Sequence, residues 1–132
     1  MIAKNNIFNI RKGSKWLGMT GERKGFVEFD NREHAMRAWL LLMRTYRHRY
    51  GCKTIRQIVA RYAPPTENDT AGYIRYCCKI ALHEPDQELL FDSDYCLLGM
   101  AMAKMETDIE LSISELYKIM KKYDIKIVGY EK

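Results

Sequence analysis

The residues best suited to chemistry lie in the run Arg61-Tyr62-Ala63-Pro64-Pro65-Thr66-Glu67-Asn68-Asp69-Thr70. Two prolines stop a helix there, because proline has no N–H to donate and disfavours helical geometry in the residue before it. Asp69 or Thr70 can then cap the next helix by accepting from its unpaired N–H groups. Glu67 is thereby held in a stiff turn near a helix N-terminus, a kind of position from which side chains are often presented to a ligand. Tyr62, Pro64 and Pro65 would desolvate its carboxyl and favour the protonated form, which is what a general acid needs. Asp69, two residues on, and Glu28, farther upstream, are candidate second carboxylates. The structural alternative is that Glu67 and Asp69 only stabilise a helix N-terminus. The start of the chain, Asn5-Asn6-Ile7-Phe8-Asn9-Ile10-Arg11, sets three amides and a guanidinium among apolar residues. These amides either bind a ligand or hold turns together through side-chain to backbone bonds.

The elements that must position these groups follow from hydrophobic period and capping signals. Trp16-Leu17-Gly18 and Gly25-Phe26-Val27-Glu28-Phe29 flank a polar turn over Thr20 to Lys24, the pattern of a small hairpin. Asp30 with Glu33 predicts a capping box that opens a helix running to Tyr50, where Gly51 ends it. Ala35, Ala38, Trp39, Leu42, Met43, Tyr46 and Tyr50 form its apolar face, with Arg37, Arg44 and His48 opposite. Thr54 with Gln57 opens a short helix to Tyr62. Ile74, Cys77, Cys78, Ala81 and Leu82 mark a helix from Thr70 to His83, which Pro85 follows. A fourth runs from Ser93 to Glu106 with Leu98, Ala101, Met102 and Met105 inward. Ser112 with Glu115 caps a fifth, with Ile113, Leu116, Tyr117 and Met120 as its apolar side. Ile125 to Val128 is predicted as a short strand. The expected class is mainly α (α+β), about five helices with a small N-terminal β-hairpin.

The chain has 132 residues, 47% apolar and 30% charged, which fits one compact domain and argues against disorder. No apolar run approaches the roughly 20 residues that span a bilayer, and no secretory signal is visible, so the expected site of synthesis is the cytoplasm. The cysteines Cys52, Cys77, Cys78 and Cys96 read as reduced core residues. With His34, His48 and His83 outside metal-ligand spacing, neither a metal site nor a cofactor is expected. The net charge of +5 conceals an asymmetry: residues 1–62 carry 14 Lys and Arg against 4 acids, and residues 63–132 carry 8 against 13. A basic half suits a polyanionic partner, nucleic acid, anionic lipid or anionic cell-wall polymer, or else is a solvated surface complemented within the chain. For nucleic acid the candidate readers are Arg37, Arg44, Arg47 and Arg49 on the long helix, although they match no known DNA-reading motif.

Taken in order, Asn5-Asn6…Asn9-Ile10-Arg11, Trp16-Leu17-Gly18, Gly25-Phe26…Phe29, Arg37-Ala38, Tyr50-Gly51…Thr54-Ile55 and Ala63-Pro64-Pro65…Glu67-Asn68-Asp69-Thr70…Tyr73 resemble small phage and prophage virion structural proteins that look like lysozyme-superfamily domains. The resemblance covers residues 5–85 and leaves 86–132 as a helical C-terminal extension packed on it, within a single domain 1–132. A weaker similarity runs to autolysin-type N-acetylglucosaminidases, which also carry paired asparagines, a Trp-x-Gly hairpin and an aromatic strand leading into a long helix. In those enzymes the acid glutamate belongs to a helix preceding the asparagines, whereas only Met1 to Lys4 precede Asn5 here. Ile7-Phe8 stands where the phage proteins usually have a proline, and Tyr62 where they usually have a tryptophan.

The resemblance implies a lysozyme-like fold and a partner in bacterial cell-wall glycan (peptidoglycan). It implies glycoside hydrolase or lytic transglycosylase chemistry with Glu67 as acid and Asp69 or Glu28 as second carboxylate. Trp16, Tyr62 and Tyr73 would stack on sugar faces, and Asn5, Asn6, Asn68 and Arg11 would hydrogen-bond hydroxyl or acetamido groups. A non-catalytic glycan-binding or virion module of the same fold is the alternative, and nucleic-acid binding the third reading. Virion association or release at lysis follows as the expected location.

Overall fold

The computed structural model describes residues 2–131 and is about half helical. A hairpin of β1 (Met19–Arg23) and β2 (Phe26–Phe29) precedes five helices: α1 (Arg32–Tyr50), α2 (Ile55–Tyr62), α3 (Thr70–Ala81), α4 (Asp92–Thr107) and α5 (Ile113–Lys122). The expected class is therefore observed, mainly helical with a small β part. The hairpin turns at Lys24-Gly25 rather than over Thr20 to Lys24, because both residues hold positive φ (50° and 88°), the geometry that matches strand twist in a two-residue turn. β1 accordingly begins at Met19, after Trp16-Leu17-Gly18, and a register irregularity falls between Met19 and Gly21.

α1 is capped one residue later than expected. Asn31 accepts from the His34 backbone N–H at 2.9 Å, while Asp30 instead meets His34 Nδ1 at 2.6 Å. The capping boxes at Thr54/Gln57 and Ser112/Glu115 form as expected. The predicted strand over Ile125 to Val128 is absent, since no neighbouring strand offers a ladder there. Asp92 Oδ1 accepts from the backbone N–H groups of Ile127 and Val128 instead, and Ile125 and Ile127 are buried. Tyr50, Met105, Ile113, Tyr117 and Leu82, expected on inner faces, are exposed. Leu82 takes the left-handed C-cap position of α3 at φ 55°, which turns its side chain out of the helical register.

One apolar core joins both ends of the chain. Phe8 stacks on Trp39 with ring centroids 4.9 Å apart, and both are fully buried. α4 packs across α3, α5 and α1, and it approaches α1 and α5 closely at Gly99. A Cβ there would sit 2.7 Å from Leu116 and 2.9 Å from Trp39, so only glycine allows this spacing. Residues 86–132 thus supply Leu89, Tyr95, Leu98, Met102 and Leu116 to the same core as Phe8 and Trp39. The N-terminal segment is fastened to β2 by Asn6, which is wholly buried. Its amide donates to Ile10 O at 2.9 Å and Val27 O at 2.8 Å, and its oxygen accepts from Ile10 N at 2.9 Å.

Candidate functional site

Two adjoining hollows lie where the N-terminal segment meets the Pro-Pro corner. The larger, about 450 Å³, is walled by Arg11, Trp16, Tyr46, Arg61, Tyr62 and Glu67. The smaller, about 180 Å³, shares Asn9, Arg11 and Tyr62 with it and adds Phe26, Asn68 and Glu106. Asn9 reaches this position because its backbone adopts φ 51°, a left-handed geometry that asparagine tolerates. The hairpin contributes Phe26, over which the Arg11 guanidinium lies at 5.2 Å from the ring centroid.

Glu67 stands at the mouth of the larger hollow with 57% of its side chain exposed, bonded to Arg11 Nη2 at 2.8 Å. The desolvation expected from Tyr62, Pro64 and Pro65 does not occur, because the turn projects Glu67 outward and the guanidinium is its nearest partner. Asp69 is the N-cap of α3 and accepts from Gly72 N at 3.1 Å, so its carboxylate is committed to the helix end. Glu28 lies on β2 and lines neither hollow. Asn5 donates to Phe29 O at 2.9 Å, and Asn6 has every hydrogen-bonding position taken by backbone, so neither asparagine is brought to the hollows. Asn68 lines the smaller hollow while donating to Pro64 O at 3.1 Å.

Trp16 and Tyr62 do face the hollows. Tyr62 donates to Phe8 O, and burial raises its hydroxyl pKa well above the ordinary value. Tyr73 does not offer a ring face, since it is only 5% exposed. Its hydroxyl instead donates to Glu106 Oε2 at 2.8 Å.

Glu106, in the last turn of α4, is the carboxyl that the environment perturbs in the direction an acid needs. Burial pushes its pKa up from the ordinary carboxylate value, opposed by hydrogen bonds from Tyr73 and Asn9 and by the charge of Arg11. Asn9 Nδ2 reaches both the Glu106 side chain, at 3.2 Å, and its backbone oxygen, at 3.0 Å. Thr107, the next residue, donates to Ile7 O at 2.8 Å, which ties the end of α4 to the paired-asparagine segment. Sequence reasoning placed Glu106 only as a helix terminus. One signal was present: an acid in the final turn of a helix opposes the helix dipole, and so implies a compensating reason.

The cations proposed as nucleic-acid readers do not share a face. Arg47 is buried, donating to Leu89 O at 2.8 Å and pairing with Glu88 at 3.5 Å. Arg37 lies over the Tyr123 ring at 5.3 Å. Among the described residues no group of His, Cys, Asp and Glu could hold a metal ion, and no helix is long and apolar enough to cross a membrane.

No model of a known protein family matches the chain. Protein P5 of Pseudoalteromonas phage PM2 is 36% identical to it over 115 residues, an alignment covering 80% of this chain and 69% of P5.

Proposed function

This chain belongs to the family of protein P5 of Pseudoalteromonas phage PM2, and on that premise we propose that it is a phage or prophage protein that acts on bacterial cell-wall glycan with Glu106 as the proton donor. The observation that carries the reading is the junction of α4 with the N-terminal segment. In the autolysin-type glucosaminidases that the chain weakly resembles, the acid belongs to a helix that comes before the paired asparagines. Here the end of α4 lies against the Asn5 to Asn9 segment through the Asn9–Glu106 and Thr107–Ile7 bonds, so a helix-borne glutamate stands beside Asn9.

Glu106 has the properties of a general acid: partial burial, a pKa pushed upward, and an opening into a hollow bordered by aromatic and amide side chains. Protonated Glu106 would give its proton to the glycosidic oxygen of the leaving sugar as the C–O bond breaks. Its carboxylate would then take a proton from the attacking hydroxyl. Glu67, the nearest other carboxylate of the paired hollows, is bound to Arg11, which favours an attacking hydroxyl supplied by the substrate itself, the lytic transglycosylase outcome, over activation of water by a second carboxylate. Trp16 and Tyr62 would stack on sugar faces, and Arg11 and Asn68 would bond polar substituents. Virion association fits the phage relative.

Clearing of purified cell walls tests the assignment. Glu106→Gln should lower the rate by at least about 100-fold, the usual worth of a positioned acid, while Glu67→Gln retains most of it. Products one water lighter than the hydrolysed sugars would mark the substrate's own hydroxyl as nucleophile. Unimpaired clearing by Glu106→Gln refutes the acid assignment, and failure of the unmodified protein to release any glycan fragment leaves the non-catalytic module as the reading.

A further inference from the structure

Resting on that reading, we infer that a strip of arginines and tyrosines running away from the acid hollow binds the carboxylate-bearing substituents of an acidic glycan strand. The strip begins at Arg61 on the wall of the larger hollow, with its guanidinium 3.6 Å from the ring centroid of Tyr50 and 5.4 Å from that of Tyr46. Tyr50 also carries Arg49, at 5.5 Å. Arg49 and Arg44 then border a shallow hollow of about 530 Å³ together with His48 and Tyr130, and Arg44 lies 4.0 Å over the Tyr130 ring. The path therefore continues from the acid site across the ends of α1 and α2 to the C-terminal tail.

The arginines of this strip are held but not neutralised. Among the described residues the arginine ion pairs involve Arg11, Arg47 and Arg56, and none of Arg44, Arg49 and Arg61. A guanidinium resting on an aromatic ring has already given up much rotamer freedom, yet its in-plane N–H groups stay available to a carboxylate fork. A neutral polymer has no use for three such groups in a row. A strand in which every second sugar is a muramic acid, carrying a carboxylate on its lactyl group or on the peptide stem amide-linked to it, does. Nucleic acid fits less well, because the guanidinium groups on Tyr50 and Tyr130 occupy ring faces on which bases would stack.

The test uses the full chain carrying Glu106→Gln, so that bound polymer stays intact, and measures co-sedimentation with purified peptidoglycan sacculi. Sacculi whose carboxylates have been converted to amides, and chitin, serve as neutral counterparts. Binding to native sacculi should fall as salt rises and weaken about tenfold on amidation. Arg44→Gln and Arg49→Gln, each checked by melting temperature, should each weaken it several-fold while leaving chitin binding unchanged. Equal binding to native and amidated sacculi overturns the proposal, and that comparison needs no variant of the strip. So does equal loss of chitin binding in the arginine variants, or tighter retention of single-stranded DNA that the same substitutions abolish. Absence of glycan cleavage by the unmodified protein would remove the catalytic reading without altering the outcome of these binding measurements.

Discussion

Glu106→Gln separates two consequences of the same buried carboxyl. The substitution is nearly isosteric. The new amide oxygen can keep accepting from Asn9, now at 3.2 Å, and its NH₂ faces the Tyr73 hydroxyl, now at 2.8 Å, which can rotate to accept. The buried Tyr73 O–H then loses its acceptor, so the hydrogen-bond cost should be about 1–3 kcal/mol. The ionised carboxylate, by contrast, is penalised by burial: its folded-state pKa lies above the ordinary 4.5. A group raised in this way contributes stability that is fully present below its unfolded pKa and lost as pH rises through the folded one.

The wild type should therefore lose stability relative to Glu106→Gln as pH climbs above 4.5, and the difference should be constant below it. Activity should move oppositely, with clearing reduced about 10²–10⁴-fold, or ~3–5 kcal/mol of transition-state stabilisation. Urea denaturation of both proteins across the pH range, beside wall-clearing assays, reads both effects. A stability difference that does not move in the variant's favour as pH rises from about 4 to about 8 would refute the burial argument, and undiminished clearing would refute the acid role.

Asn6→Ala should destabilise the fold by about 2–4 kcal/mol, since it strips buried backbone groups of Ile10 and Val27 of their partner; a loss under 1 kcal/mol in urea titration would contradict this. Gly99→Ala should cost about 1–3 kcal/mol by forcing α4 away from Trp39 and Leu116, read as a lower thermal midpoint. Burial pushes the Cys77 thiol up to about 12 and the Cys96 thiol up to about 11, so at pH 8 a thiol reagent should label Cys52 ahead of both, and label all four cysteines rapidly only after unfolding.

The elements were readable because capping and period are local signals. Thr54/Gln57, Ser112/Glu115 and Gly51 mark helix ends within a few residues of themselves, and Ala38, Trp39 and Met43 fall on one stripe of α1. The Arg11 to Trp16 segment meets the Arg61 to Glu67 corner at the larger hollow. Which carboxyl is buried was not readable in the same way. Whether Glu67 is desolvated depends on which way a turn projects it, and Arg11, 56 residues away in sequence, is its partner. Glu106 acquires its neighbours Asn9 and Tyr73 only through tertiary packing, at separations of 97 and 33 residues. Arg47 shows the same limit. Helical spacing sets it beside Arg44, but the backbone carbonyl of Leu89 draws it inward.

The bond between residues 9 and 106 also sets a timetable for biosynthesis. During translation the first partner leaves the ribosome long before the second, and closing so long a stretch of chain is slow compared with local helix formation. A nascent or truncated polypeptide therefore lacks the carboxyl together with its amide neighbour. The pocket that holds this pair is therefore completed only after residue 106 has been made.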